Sequence, residues 1–289
     1  MFFMKPTNRR QFIQQTGLLS AGLLLSTDEY FKMNKNVGVQ LYTLRDQVSK
    51  DPRGTIQKVA GIGFKEVESF GYNNGKYFGL TAKEYADLLK ENNLSHPSGH
   101  YGMGNIATWD KAIEDAVTAG QKYMVIAYLV ENDRKTIDDY KKHAATFNTA
   151  AEKCKKAGIQ FAYHNHDFEF IDMNGQTGYE VLMKETDKSL VKFEMDIYWV
   201  AKANHDPIEL FKKHSNRFPL WHVKDMDKTE KRSFTEVGNG VIDYKKIFEN
   251  AKKSGMQHFF VEQDISADPL ASIQKSFEYI KTSLIKELS

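Results

Sequence analysis

A single cysteine, Cys154, in a chain of 289 residues excludes an intramolecular disulfide framework and any cysteine-rich zinc site. A metal bound here would need histidine and carboxylate ligands, and Cys154, within a helical pattern, reads as inert packing. A surplus of one charge is also missing. The chain has 40 Lys and Arg against 38 Asp and Glu, and setting aside Lys5, Arg9, Arg10, Lys32, Asp28 and Glu29 leaves 36 of each sign beyond residue 33. Duplex-binding enzymes usually carry a basic excess because phosphate neutralisation supplies most of their non-specific affinity, so the balance speaks against a nucleic-acid partner. No tandem repeat, low-complexity tract or long polar linker divides the body. The composition, 41% hydrophobic and 27% charged, is that of a globular chain able to bury one large core or two small ones.

Long apolar runs are scarce as well. Leu18 to Leu25 is too short to span a bilayer. It follows Arg9 and Arg10, with Phe12 and Ile13 next in line, and this order resembles a twin-arginine export signal. Residues 1–33 are therefore expected to form a signal segment outside the fold, giving a periplasmic or exported protein with no membrane association beyond that signal. Residues 34–289 are expected to form the folded domain.

Within that domain, short apolar runs alternate with longer segments of helical period, the pattern of βαβ units and a parallel sheet. The expected strands begin at Val37, Lys65, Leu94, Lys122, Ile159, Val191, Phe218 and His258. Between them lie helical patterns such as Ala82 to Glu91, Thr136 to Lys156, Tyr244 to Lys253 and Pro269 to Leu284. Gly120, Gly158 and Gly255 stand just before strands, where a helix end in the left-handed conformation favours a residue without a Cβ. Eight such units over about 250 residues predict an α/β protein, a single (β/α)8 TIM barrel. A doubly wound open sheet is the alternative, but no glycine-rich phosphate turn follows the first strand.

Chemistry in such a barrel gathers at the C-terminal ends of the strands. The last four expected strands open apolar and close on His164-Asn165-His166, Asp196, His222 and Glu262. Asp and Glu are rarely buried without a partner, and one dication would neutralise them all. His164, Asp196, His222 and Glu262 are accordingly the expected metal ligands, with His166, two residues along the same strand, the alternative to His164. Two carboxylates with two imidazoles suit Mn first, and leave Co, Fe, Zn or Mg open.

The body resembles the xylose isomerase-like sugar phosphate isomerases and epimerases. The resemblance runs from Val37 to the C-terminus and rests on VQLYTLRD at 39–46, GHY at 99–101, YHNHDFEF at 163–170, EMDIYW at 194–199, WHVKD at 221–225, EVGNGVIDY at 236–244 and VEQD at 261–264. It implies a metal held at the ends of strands five to eight by Glu, Asp, His and Glu. Asp196, His222 and Glu262 match that set, and His164 stands where the family's ketose 3-epimerases have the first glutamate. Those epimerases use two glutamates on opposite faces of the sugar, so the histidine speaks against simple 3-epimerisation. The resemblance implies proton abstraction beside a carbonyl through an enediolate, by a sugar isomerase or epimerase. The alternative is a lyase or hydratase acting on a keto-sugar, keto-glycoside or inosose with the same metal site. A non-catalytic sugar-binding barrel ranks third, and a phosphate-ester nuclease a distant fourth. Glu262 is the expected base, His164 or His166 the partner acid, and Lys224 the group stabilising an oxyanion, unless it pairs with Asp225 or a neighbouring strand-end carboxylate. Glu68, His100, His166, Trp199 and Tyr42 are expected to contact a small-molecule sugar, with Tyr128 a further aromatic face. A homo-oligomer is left open.

Overall fold

The computed structural model describes residues 33–288, and the expected signal segment lies outside them except for Met33. Asn34 to Leu288 form one compact unit. Eight parallel strands close a barrel: β1 (Gly38–Gln40), β2 (Glu66–Ser69), β3 (Ser95–Tyr101), β4 (Tyr123–Ile126), β5 (Gln160–His164), β6 (Val191–Asp196), β7 (Leu220–Val223) and β8 (His258–Val261). Each strand pairs with its sequence neighbour, and β8 returns to β1 through Gly38 opposite Phe260. Among the described residues no helix is long and apolar enough to cross a membrane.

Local chemistry explains the helix starts. Thr81, Thr136 and Thr177 each cap a helix and face an acid three residues on, so hydroxyl and carboxylate satisfy each other's free backbone N–H. Asp51, Asp206 and Asp268 cap helices whose first residue is proline, which lacks the N–H that would otherwise go unpaired there. Gly120, Gly158 and Gly255 have φ of 84°, 76° and 82°, the left-handed conformation expected of them. Two helices depart from expectation. The one begun at Tyr244 breaks at Asn250, whose Nδ2 donates to Lys246 O, and resumes as Ala251–Ser254. The one from Pro269 is α-helical to Tyr279, then widens into a π turn over Ile280–Leu284.

Side chains alternate along each strand. The outward set, including Phe161, Tyr163, Phe193, Trp221 and Phe259, is fully buried under the helices, with Trp221 stacked on Phe211 at 5.0 Å. Cys154 lies in this layer on the helix Ile137–Lys156, where burial raises its thiol to about 12 and keeps it inert. Inside the barrel, Val125, Ala162, Leu220 and Phe260 make an apolar plug. Gly38 makes room for it, since a Cβ there would stand 2.5 Å from Phe260 Cδ1 and 2.8 Å from the Phe259 carbonyl oxygen. Gly38→Ala is expected to overpack this layer, costing about 1–3 kcal/mol and lowering Tm in a calorimetric scan; an unchanged Tm would show that the plug yields freely.

Candidate functional site

Directly above the plug the inward residues turn polar. Glu68 from β2, His100 from β3, His164 from β5, Glu194 from β6 and His222 from β7 are all buried. Glu194 Oε2 lies 2.9 Å from His164 Nδ1, 2.6 Å from His100 Nε2 and 3.2 Å from His222 Nε2. Glu68 Oε2 lies 2.6 Å from His222 Nε2 and accepts from Gln40 Nε2 at 2.7 Å, while Ser98 Oγ donates to its other oxygen.

These contacts aim two imidazoles at the barrel mouth. Burial depresses His164 to about 3, so its ring is neutral, and a carboxylate partner can only accept. Its hydrogen therefore sits on Nδ1, toward Glu194, and the bare Nε2 faces Asp196 Oδ2 at 3.5 Å. His222 gives Nε2 to Glu68 and turns Nδ1 to Glu262 Oε2 at 2.7 Å. Carboxylates that orient metal-binding imidazoles through the second ring nitrogen do this in zinc enzymes. Burial opposes charge on His222, yet Glu194, Glu262 and Glu68 together hold its pKa well above the usual value. Burial likewise works against ionised Glu194 and Glu262, but surrounding cations hold both well below the ordinary carboxylate range, His222 and His100 for Glu194, Lys224 and His222 for Glu262.

Asp196 ends β6 and caps the following turn of helix, accepting from Trp199 N at 3.0 Å through Oδ1. Asn165 fixes its backbone: Oδ1 accepts from Asp196 N at 3.1 Å and Nδ2 donates to Asp196 O at 3.3 Å. Burial raises Asp196 to about 6, and its Oδ2 pairs with the Lys224 ammonium at 2.8 Å. Lys224 also donates to Glu262 Oε2 and reaches Asp264 Oδ2 at 3.2 Å.

Asp196, His222 and Glu262 thus bring ligand atoms within 4.8 Å of one another, as do His100, His164, Glu194 and His222 below them. The expected quartet is divided between these two groups. His164 reaches the upper one through its Nε2, whose lone pair faces Asp196 Oδ2 at 3.5 Å, the oxygen that the Lys224 ammonium pairs with. The Asp196 and Glu262 carboxylates with the His222 imidazole are donors of the kind a divalent metal ion takes, and His164 stands beside them.

The mouth above is a cavity of about 650 Å³, lined at its floor by His100, His164, His166, Lys224, Glu262 and Asp264 and at its rim by Tyr42, Phe70, Tyr128, Trp199, Phe234 and Ile265. His100, His166, Trp199 and Tyr42 therefore stand where sugar contacts are expected, and Tyr128 joins them. Glu68 does not. It is wholly buried beneath His100 and His222, and its expected contact with sugar hydroxyls gives way to a supporting role. His166 is not on the strand, which ends at His164. It lies two residues beyond, in the loop before the short turn Phe168–Phe170, with its ring stacked on Phe168 at 5.2 Å. Lys224 leaves Asp225 alone: Asp225 instead accepts backbone N–H groups from Met226, Gly238, Gly240 and Ile242 and so shapes the loop after β7. Glu194 and Asp264 join the candidate site, and the strand-end pattern missed both. Glu194 is two positions from Asp196 on one strand, the spacing that puts side chains on one face, and Asp264 follows Glu262 in the loop after β8.

Glu169 supports the same wall. Buried, it accepts from Tyr163 OH and, at 2.8 Å, from His166 N, and burial raises it to about 7. A carboxyl whose folded pKa exceeds its unfolded value keeps its proton longer when folded, so stability falls as pH rises through roughly 4.5 to 7. Glu169→Gln removes that titration and is expected to flatten the pH–stability curve by about 3 kcal/mol between pH 4.5 and 8. Denaturant melts at both pH values test this, and parallel curves for the two proteins would refute it.

With the geometry described, the relatives can be placed. The model of the xylose isomerase-like TIM barrel family matches residues 56–283. The chain belongs to that family. An inosose dehydratase from Geobacillus thermodenitrificans is 32% identical over 154 residues, 46% of this chain and 49% of the relative. The chain thus spans about half the length of the curated relatives it matches. A sugar phosphate isomerase/epimerase from Parabacteroides distasonis superposes with a TM-score of 0.75 at 26% identity, covering 88% of this chain and 96% of that one. The IolI protein, solved with a bound zinc atom, shares the fold with a TM-score of 0.67 at 14% identity, over 88% of this chain and 98% of its own. This family member therefore has enzymes on both sides of a mechanistic divide among its relatives, a dehydratase by sequence and an isomerase/epimerase by structure.

Proposed function

We propose that this xylose isomerase-like barrel is a metal-dependent lyase that removes a proton beside the carbonyl of a keto-sugar, keto-glycoside or inosose and expels a group from the adjacent carbon. The observation that carries the reading is the one-sidedness of the cavity's acids. Its only carboxylates among the described lining residues, Glu262 and Asp264, both follow β8, and the floor across from them offers imidazoles. Epimerisation through two carboxylates on opposite faces lacks its second carboxylate here. Elimination needs one base and one acid.

Glu262, kept ionised by its cationic surroundings, takes the proton from carbon. Asp264, raised by burial and by Glu262, is the neighbouring group that can receive it. His166 faces the departing oxygen from the cavity floor, and the Lys224 ammonium, the proton-bearing group there, delivers the proton that this oxygen leaves with and regains one through Asp264. A divalent ion held by His164, Asp196, His222 and Glu262 supplies Lewis-acid polarisation of the substrate oxygens. Manganese is the ion we assign, and the twin arginines at Arg9 and Arg10 support export of the folded protein. Tyr42, Tyr128 and Trp199 give apolar faces for a sugar ring.

Isomerisation or epimerisation is the second reading, favoured by the likeness to the Parabacteroides distasonis structure. Incubation of the metal-loaded protein with inosose and 3-keto-glucosides in deuterated water separates them. Deuterium incorporation with release of water or aglycone supports the lyase; incorporation with only an isomer overturns it in favour of the second reading; no incorporation leaves a sugar-binding barrel.

A further inference from the structure

The Lys224 side chain lies where a metal's own charge is needed. It is 1% exposed, and its ammonium is shared between Asp196 Oδ2, Glu262 Oε2 and Asp264 Oδ2. The first two atoms belong to the upper ligand group. An ion bound by them would stand within a few ångströms of the ammonium, and like charges so close in a buried site repel strongly. Both cations cannot hold the same two oxygens.

The third carboxylate offers a way out. Asp264 lies outside both ligand groups, is 23% exposed, and lines the cavity. Its two oxygens already lie 3.5 and 3.2 Å from Nζ. A four-carbon stem with free torsions lets the ammonium turn toward Asp264 while its backbone stays fixed, and the Tyr244 hydroxyl anchors that backbone by accepting from Lys224 N at 3.0 Å and donating to Lys224 O at 2.6 Å.

Resting on the metal site read above, we propose that Lys224 is a built-in stand-in cation that neutralises Asp196 and Glu262 in the metal-free protein, and that the incoming ion displaces it onto Asp264 at the cavity wall. Metal loading and presentation of the ammonium to substrate are then one event. The metal-free barrel avoids bare buried carboxylates, which are costly, and the ammonium, already at the cavity floor, is turned from the ligand oxygens toward the wall when the ion enters.

The test uses the full-length protein and Mn²⁺ alone. Lysine labelling with an amine-reactive ester, mapped by mass spectrometry, is expected to modify Lys224 at least fivefold faster with saturating Mn²⁺ than without, while Lys83 and Lys142 on the surface keep their rates. Calorimetric titration is expected to show Lys224→Met binding Mn²⁺ about tenfold or more tighter than the native protein. Ion uptake with unchanged Lys224 labelling overturns the proposal, and this measurement needs no variant, so misfolding of Lys224→Met does not shelter it. A folded Lys224→Met that binds no tighter also overturns it. Failure of the native protein to bind Mn²⁺, Co²⁺ or Zn²⁺ at all would instead overturn the metal site itself.

Discussion

Asp196→Ala and His222→Ala are each expected to lose the stoichiometric divalent metal and, with it, turnover by a thousandfold or more. The size follows from what a Lewis acid contributes, several kcal/mol of charge stabilisation, at about 1.4 kcal/mol per factor of ten. Asp196 and His222 belong to the same upper ligand group, and Glu68 orients His222. Elemental analysis of purified protein beside a rate measurement checks both. Glu194→Gln serves as a graded companion. It lies outside the upper group but orients His164 and stands 3.2 Å from His222 Nε2, so a 10–100-fold loss of metal affinity is expected. Unchanged metal content in both alanine variants would remove the site.

Glu262→Gln is expected to abolish exchange of the substrate's carbon-bound proton with solvent, lowering kcat by about 10²–10⁴, the usual worth of a positioned acid or base. The amide keeps an oxygen for the ion and a hydrogen-bonding group near Lys224, so metal retention with lost exchange identifies a base. The measurement is the loss of substrate proton signal in deuterated water by NMR. If Asp264→Gln or Asp264→Asn loses exchange while Glu262→Gln keeps it, the base is Asp264, two residues on. Exchange at the native rate in both variants would overturn the assignment of the base to this end of β8.

Much of this was legible in the sequence because a parallel barrel strand is buried on both faces and reads as a short apolar run. Seven of the eight strands lie within the runs picked out by that signal, β3 passes the end of its run by one residue to Tyr101, and the helix Ala82–Glu91 has the expected bounds. Asp196, His222 and Glu262 were readable because charge at the end of an apolar run has few structural explanations. Glu194 was not, since a single acid inside VKFEMD looks like an ordinary interruption until His100, His164 and His222 are seen around it. Glu68 was placed too high because strand ends were counted without stagger, and the register between β2 and β3 shifts between Glu66 and Glu68. The loops were out of reach for a different reason. Their shape depends on contacts such as Asp225 with the backbone of Gly238 and Gly240, which no period along the chain encodes.

The closure of β8 on β1 bears on the order of events during synthesis. Gly38 pairs with Phe260, two residues before Glu262, and Gln40 supports Glu68 and through it His222. The first and last strands of the barrel must therefore meet before the ligands converge. A nascent chain still short of residue 258 holds His164, Asp196 and His222 without the pairing that draws Glu262 in beside them. On the metal site proposed above, ion capture follows barrel closure, and the closed barrel is the earliest species that brings all four ligands together.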